Sequence, residues 1–432
     1  MISKRITSVS IPTAAFLLAQ LGIIYKTFTG IADHFSSGSL FRYDLLSFLM
    51  PAVVAAFVAI VIKANFRVNK QLFLFIIYGI YMITVTVCSM NYRGASIVFT
   101  IINMVYWIAI LVIAYVYVQK KSGILDHNVW EKRRNSFFTY NAWMLFIGLV
   151  LLIQSYQNTS LMAFYANRDV LMNSVYYLIF LLPAVLCCRK KWIHYAAFFA
   201  VLIGTVFSGK RTALVIVLVC WAVWISFTMR GKSFRLKMGI IAVVIVLSVV
   251  GYNVFLSIAN QYGLNLIARM NAAISGADNG SGRIDIWRET FETIADENIL
   301  LALIGRGYRA VSVNSQYASL SESHNEFIQV LFDYGVFGLM LLLSICFELV
   351  RTGFRMRREN YEYAAAYWVS LIVFFLSSMV SMTLIYPYWF ISMASFWGFI
   401  LADFRQYCQA SEAERRRKKP CSMQTGRISD MA

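Results

Sequence analysis

Residues Ile97–Val118 read IVFTIINMVYWIAILVIAYVYV, a stretch of 22 residues without a charged side chain. About 20 apolar residues in a helix cross the roughly 30 Å of hydrocarbon in a bilayer. Similar stretches recur along the chain, which is 59% hydrophobic and only 14% charged. Lipid offers the backbone no hydrogen-bond partner, and the stretches are too long for barrel strands. We therefore predict an all-α, polytopic transmembrane helical bundle.

Counting these stretches predicts about twelve spans and one large extracytoplasmic loop that contains an amphipathic helix. The spans run at roughly Val9–Tyr25, Leu45–Ile62, Leu72–Ser89, Ile97–Val118, Phe138–Ser155, Leu171–Cys188, Ile193–Phe207, Thr212–Met229, Met238–Ile258, Phe327–Val350, Ala364–Ile385 and Trp389–Phe404. The chain then divides into spans one to nine (1–258), the periplasmic loop (259–324), spans ten to twelve (325–404) and a basic tail (405–432).

The distribution of charge predicts the orientation of the bundle. The net charge is +18, and most of the 39 Lys and Arg residues form short clusters between alternate spans. Cytoplasmic loops are enriched in Lys and Arg, so both termini are predicted to be cytoplasmic. Because the cations do not form one continuous face, we exclude nucleic acid as a partner and expect membrane lipids instead. The sequence contains no cluster of Cys and His residues of the kind that binds a metal ion.

Two cations, Lys210 and Arg211, break this orientation rule because they lie between two spans on the predicted outer side. Lys supplies a point charge and Arg a planar fork of donors, a combination suited to a diphosphate. The alternative is that both side chains simply extend to the membrane interface, as long basic side chains commonly do.

His324 and Asn325 stand where the predicted loop re-enters the membrane. The ordinary pKa of histidine allows it to take a proton from a sugar hydroxyl near neutral pH. The alternative is a histidine at a helix start that bonds only to backbone or lipid headgroups. One further acidic residue, Asp333, lies at membrane depth, where charge is costly and usually functional.

The predicted loop carries three further candidates for substrate binding, Arg283, Arg288 and Arg306. Arg283 opens an amphipathic helix whose predicted apolar face is formed by Ile284, Trp287, Phe291 and Ile294. Arg288 lies off the face shared by Arg283 and Trp287. Arg306 belongs to Gly305-Arg-Gly-Tyr308, where glycines permit tight turns. Charged residues on a loop are, however, mostly just solvated.

Together these pieces form an ordered series of motifs. They are Gly209-Lys-Arg-Thr-Ala-Leu214, Gly282-Arg-Ile-Asp-Ile-Trp287, Gly305-Arg-Gly-Tyr308, His324-Asn325 and, after nine intervening residues, Gly335-Val-Phe-Gly338. The series resembles the O-antigen ligase and O-antigen polymerase superfamily of bacterial membrane glycosyltransferases. The resemblance covers roughly Gly204–Leu343 in motif and the whole chain in topology.

The resemblance implies an inverting glycosyltransferase without metal or other cofactor, in the bacterial cytoplasmic (inner) membrane. The donor would be an oligosaccharide on undecaprenyl diphosphate. The acceptor would be a lipid-linked repeat unit or lipid A core, in assembly of lipopolysaccharide O-antigen, capsule or exopolysaccharide. By analogy Arg211 and His324 would be catalytic, and Lys210, Arg283, Arg288, Arg306 and Asn325 would bind substrate. A chain-length regulator and a flippase are candidate partners.

Two questions stay open at the level of sequence. The motifs are shared by polymerases and ligases; we favour a polymerase because that branch is the more diverse. A second class, a polytopic transporter or a flippase for lipid-linked oligosaccharide, shares the span count but usually shows paired halves and broken helices. A scaffold subunit of an envelope complex is a third reading.

Overall fold

The computed structural model describes most of the chain, and the described part is helical. It comprises residues 10–32, 41–63, 68–89, 97–122, 125–166, 172–208, 210–229, 283–311, 322–384 and 387–418, with single positions at 231, 233, 235 and 239. Every regular element in these ranges is a helix, and no strand occurs within them. The predicted all-α class is confirmed.

Thirteen helices lie in the described part. They are α1 (Ile11–Ala32), α2 (Phe41–Lys63), α3 (Lys70–Ser89), α4 (Ile97–Ser122), α5 (His127–Ala166), α6 (Val175–Val185), α7 (Lys191–Ser208), α8 (Arg211–Thr228), α9 (Arg283–Ala295), α10 (Ile299–Ile304), α11 (Glu326–Arg358), α12 (Ala364–Val380) and α13 (Pro387–Lys418). Seven are long and apolar enough to cross a membrane, namely α1, α3, α4, α5, α7, α8 and α11.

The count of about twelve spans therefore stays a prediction. The apolar helices α6 and α12 are shorter, as is the apolar part of α2, and α13 contains the predicted twelfth span. The predicted ninth span, Met238–Ile258, lies outside the described residues apart from Gly239, as do residues 259–282 of the predicted loop. The structure thus establishes a multi-pass, helical membrane protein, and the extracytoplasmic position of the loop remains an expectation.

The predicted sixth span is shorter in the structure than in the sequence analysis. Instead of Leu171–Cys188, α6 covers the 11 residues Val175–Val185, and all of their side chains are buried. Pro183 lies in its last turn and lacks the N–H that would bond to the carbonyl oxygen of Ile179. A helix enclosed by other helices buries its side chains against protein rather than lipid, so it does not have to match the hydrocarbon thickness by itself.

The core is built where α13 packs along α4. Gly398 permits this approach, because a Cβ there would overlap the carbonyl oxygen of Leu111. One helical turn before Leu111 in α4, Trp107 stands edge-on to Phe390, with ring centroids 5.4 Å apart. Phe390 in turn lies 5.3 Å from Trp397. Such aromatic pairs add about 0.5–1.5 kcal/mol beyond their buried area.

Contacts between distant parts of the chain sort the helix ends into two groups. At one end, the Tyr388 hydroxyl at the start of α13 donates to Asn103 Oδ1 near the start of α4, at 2.7 Å. At the other, Lys70 at the start of α3 pairs with Glu348 in the last third of α11, at 2.5 Å. We call these the Tyr388 end and the Lys70 end of the bundle.

We expect Gly398→Ala to lower the free energy of unfolding by roughly 1–3 kcal/mol, because the added Cβ meets a carbonyl oxygen that cannot move aside. The midpoint of thermal unfolding in detergent measures this. Gly239→Ala is the matched control, since no described atom lies within 4 Å of a Cβ there. Equal midpoints for both variants would contradict the proposed close approach.

Candidate active site

Two motif glycines mark the place where two backbone segments cross. The helix α11 is interrupted at Gly335, which has φ 63° and ψ −171°. Gly305, just after α10, has φ 99°. A Cβ on Gly305 would overlap the main chain of Asp333 and Tyr334, and a Cβ on Gly335 would overlap that of Leu303 and Gly305. Only glycine tolerates both the positive φ and the close approach.

Asp333 supplies the hydrogen-bond acceptors for this crossing. Its main-chain oxygen accepts from the N–H groups of Arg306 and Gly307, at 2.9 and 2.7 Å. Its carboxylate accepts from the N–H groups of Arg309 and Ala310, both at 2.8 Å. Asp333 is fully buried. The acidic residue noticed in the sequence at membrane depth is thus the anchor of residues 305–310.

Arg306 is fully engaged by neighbouring groups. Its guanidinium pairs with Glu297, Nε to Oε1 at 2.9 Å, and stacks 3.9 Å from the centroid of the Phe332 ring. Only 8% of the residue is exposed. Contact between Arg306 and a substrate would require these partners to be exchanged, so we leave Arg306 out of the site proposed below.

The turn before α11 is held from both sides. Glu322 is buried and pairs with the Arg309 guanidinium, Nε to Oε1 at 2.5 Å. The N–H of Ser323 donates to Gln329 Oε1 at 3.0 Å, and its carbonyl oxygen accepts from Trp287 Nε1 at 2.6 Å. Because Trp287 belongs to α9, this bond fixes the helix that carries Arg283 against the turn that carries His324.

His324 has φ 51°, a left-handed conformation that is uncommon outside glycine. The next residue, Asn325, is the N-cap of α11: its Oδ1 accepts from the N–H groups of Phe327 and Ile328 at 3.0 and 3.2 Å. Its Nδ2 donates to the carbonyl oxygen of Met379 at 3.3 Å. These bonds describe a structural role for Asn325, and they orient the backbone from which His324 projects.

The charges of Lys210 and Arg283, which belong to separate segments, act on the imidazole of His324. Burial lowers the pKa of His324 from 6.5 to about 4, and the positive charges of Arg283 and Lys210 contribute to the same shift. Because Coulomb energies fall with distance, both cations are close enough for their charges to act on the imidazole. Both effects favour the neutral form of the imidazole.

The chain around Lys210 and Arg211 joins this group. Lys210 is the N-cap of α8, and Arg211 is its first residue; both are half-buried. The following Thr212 hydroxyl lies 2.9 Å from the hydroxyl of Tyr176, which also experiences the charge of Arg283. The Tyr176 ring stacks on Trp389, with centroids 5.3 Å apart. The group therefore lies at the Tyr388 end of the bundle.

One side of α9 packs on the bundle and another side is exposed. Its buried residues are Ile286 and Thr290, whereas Ile284 and Phe291 are 45% and 48% exposed. Ile286 packs with Ala310, Val311 and Phe332, and this cluster together with the bond of Trp287 sets the rotation. The predicted helix is thus present; of its predicted apolar face, Ile294 packs against this cluster, and Ile284 and Phe291 are exposed.

Arg288 lies on an exposed side of α9. Its side chain is 66% exposed, and its guanidinium lies 3.8 Å from Asp285 of the same helix. The structure thus brings Lys210 and Arg283 to His324, places Arg211 directly after Lys210, and leaves Arg288 on the outside.

Sequence reasoning did not single out several residues that shape this end. Tyr81 in α3 places its hydroxyl 2.9 Å from the Ile304 carbonyl oxygen and 3.1 Å from that of Tyr334. Tyr176 and Trp389 form the aromatic pair beside Arg283. A tyrosine within an apolar run carries no signal of its own in one sequence, because aromatic residues are common in membrane spans.

One comparison with known families concerns the segment that carries these residues. Residues 196–343 match a family described as O-antigen ligase. The match covers about a third of the chain and includes every candidate residue named above. No curated protein sequence matches the chain.

The fold is that of a multi-pass helical membrane protein, and its residues 196–343 are similar to the O-antigen ligase family. The family match confirms the resemblance to the O-antigen ligase and O-antigen polymerase superfamily.

We expect Asp333→Asn to loosen residues 305–310, because an amide has one acceptor oxygen where the carboxylate has two. A buried N–H left without its partner costs about 1–3 kcal/mol. Hydrogen exchange read by mass spectrometry should accelerate in peptides that cover 305–310, with a lower unfolding midpoint. Asp285→Asn, at a side chain that is 41% exposed, is the control. Unchanged exchange in Asp333→Asn would refute the anchoring role.

Proposed function

We propose that this protein transfers an oligosaccharide from undecaprenyl diphosphate to a glycan acceptor at the outer face of the cytoplasmic membrane. The products would be O-antigen, capsule or exopolysaccharide. The observation that carries the proposal is the convergence of Lys210, Arg283 and His324, from three separate segments, at one end of a membrane bundle. The family match supports the transferase class and gives no support to a transporter or flippase.

Three cations would account for binding of the donor. A diphosphate carries negative charge on oxygens that Arg283 and Arg211 would contact through guanidinium forks, and Lys210 through its ammonium group. When the glycosyl bond breaks, further charge develops on the leaving diphosphate. Fixed cations stabilise this charge without a divalent ion, which is why we propose a metal-independent reaction.

His324 would act on the acceptor. An acceptor hydroxyl attacks the anomeric carbon from the face opposite the diphosphate, and its proton passes to the imidazole of His324. The bond between the anomeric carbon and the phosphate oxygen breaks, and the diphosphate leaves with the electron pair. A single displacement of this kind inverts the configuration at the anomeric carbon.

Donor binding would also strengthen the base. In the free protein, Arg283 and Lys210 help to keep the pKa of His324 at about 4. A bound diphosphate would compensate both positive charges and thereby raise that pKa, because a nearby anion favours the imidazolium form. His324 would then accept a proton more readily when the donor is in place.

Two different acceptors are compatible with the proposed reaction. A polymerase would extend a lipid-linked repeat unit, with a chain-length regulator and a flippase as partners, and a ligase would transfer the glycan to lipid A core. We favour the polymerase, on the diversity of that branch alone; none of the described contacts discriminates between the two acceptors.

We expect Arg211→Ala and His324→Ala each to lower transfer at least about 100-fold, since one loses leaving-group stabilisation and the other the base. Surface glycan from cells that carry each variant, resolved on a gel, measures this at equal protein level. Arg288→Ala is the control. Survival of single-repeat products would indicate a polymerase, and loss of all repeat-bearing products a ligase. Normal glycan in both variants would refute the assigned site.

The proposed coupling predicts a specific pH dependence. The pH profile of kcat/KM reports the free protein, and the pH profile of kcat reports the complex with substrate. The acid limb of the kcat/KM profile should therefore lie at lower pH than the acid limb of the kcat profile. Arg283→Gln removes one cation, so the pKa of His324 in the free protein should rise and the kcat/KM limb should move to higher pH. Arg288→Gln, on the same helix, should leave the limb in place.

Purified protein and lipid-linked substrate in EDTA provide the measurement, because the proposed reaction uses no divalent ion. A limb that stays fixed or moves to lower pH in Arg283→Gln would contradict the coupling.

A further inference from the structure

The Lys70 end of the bundle contains a cavity of about 880 Å³ that the transferase mechanism does not use. It lies between the start of α3, the last turns of α11 and the second half of α13. Arg358 on its wall is about 35 Å along α11 from the break at Gly335, so the cavity is remote from His324. Its volume falls in the range typical of small-ligand sites.

The cavity is positively charged. Five cations line it, Lys70, Arg351, Arg355, Arg358 and Arg405, against three carboxylates, Glu348, Glu359 and Glu412. The least exposed of these carboxylates, Glu348, is already compensated by Lys70 at 2.5 Å and by Arg351 at 3.3 Å. Glu359 pairs with Arg415, which lies outside the lining, at 2.9 Å. The charge left over favours an anionic ligand.

Two of the arginines are placed to contact such a ligand. Arg355 is exposed, and its guanidinium lies 5.8 Å from the centroid of the Phe404 ring. Arg358 is exposed and has no ion pair among the described residues. Guanidinium groups recognise phosphate through paired N–H donors. A phosphate ester is therefore the chemistry that fits this wall.

The surface that leads to the cavity favours a lipid as the source of that phosphate. Met340, Phe347 and Phe354 are 58%, 66% and 57% exposed and follow one another at intervals of seven residues, so they share one face of α11. Arg351 and Arg358 each follow a phenylalanine by four residues on that same face. An apolar surface that leads to guanidinium groups is complementary to an acyl chain followed by a phosphate.

We propose that the cavity binds the phosphate of an anionic phospholipid, with Arg355 and Arg358 as its main contacts and the acyl chains along the Phe347–Phe354 face. Basic pockets between membrane helices commonly hold anionic headgroups, with about 1 kcal/mol for each basic residue near the surface. The proposal does not depend on the transferase activity, because none of these residues belongs to the site around His324.

The test compares lipids by their effect on thermal unfolding of the purified full-length chain in detergent. Phosphatidylglycerol should raise the unfolding midpoint in a saturable way, and phosphatidylcholine should not. In Arg355→Gln/Arg358→Gln the apparent affinity for phosphatidylglycerol should fall roughly 10- to 30-fold. Lys132→Gln/Arg133→Gln is the control, since it removes the same charge from exposed positions of α5 outside this cavity.

Two further measurements complete the test. Arg358→Gln alone, which breaks no described ion pair, should show a smaller loss and guards against misfolding of the double variant. Glycerol phosphate without acyl chains should leave the midpoint unchanged. Equal stabilisation by glycerol phosphate would overturn the lipid in favour of a soluble phosphate ester. Equal lipid affinity in the two double variants would overturn the site.

Discussion

The rest of this structure depends on one constraint. The backbone groups that are exposed where α11 breaks must find hydrogen-bond partners. A helix interrupted within a membrane bundle exposes N–H and carbonyl groups that lipid cannot bond, and each such group is costly. Here the break at Gly335 is covered by a second segment, and Asp333 bonds the N–H groups of Arg306, Gly307, Arg309 and Ala310. The two glycines make this possible because a side chain at either would separate the backbones.

The site around His324 depends on this crossing. The same segment carries Arg309, which binds Glu322 at the turn before α11, and Gln329 bridges Asp333 and Ser323. A chain of hydrogen bonds thus connects the helix break to the residue next to His324. Burial, together with the charges of Arg283 and Lys210, lowers the pKa of His324 at this place.

The two ends of the bundle use basic residues in different ways. At the Tyr388 end, few cations lie close to a titratable group, and their charge affects its protonation. At the Lys70 end, the cations are numerous, exposed and partly compensated by carboxylates. The first arrangement suits chemistry, where position matters, and the second suits adhesion to an anionic surface.

The sequence by itself determined the membrane class, the helical architecture and the site motifs, because hydrophobic length and short motifs are properties of neighbouring residues. It also predicted the helix that begins at Arg283 and singled out Asp333. The tertiary structure alone decided that α6 is short and enclosed, that α9 buries Ile286 rather than Ile284, and that Arg306 is held by Glu297. It also decided that Lys210 and Arg283 lie near His324. These outcomes depend on contacts between residues far apart in the chain, whose geometry a single sequence does not contain.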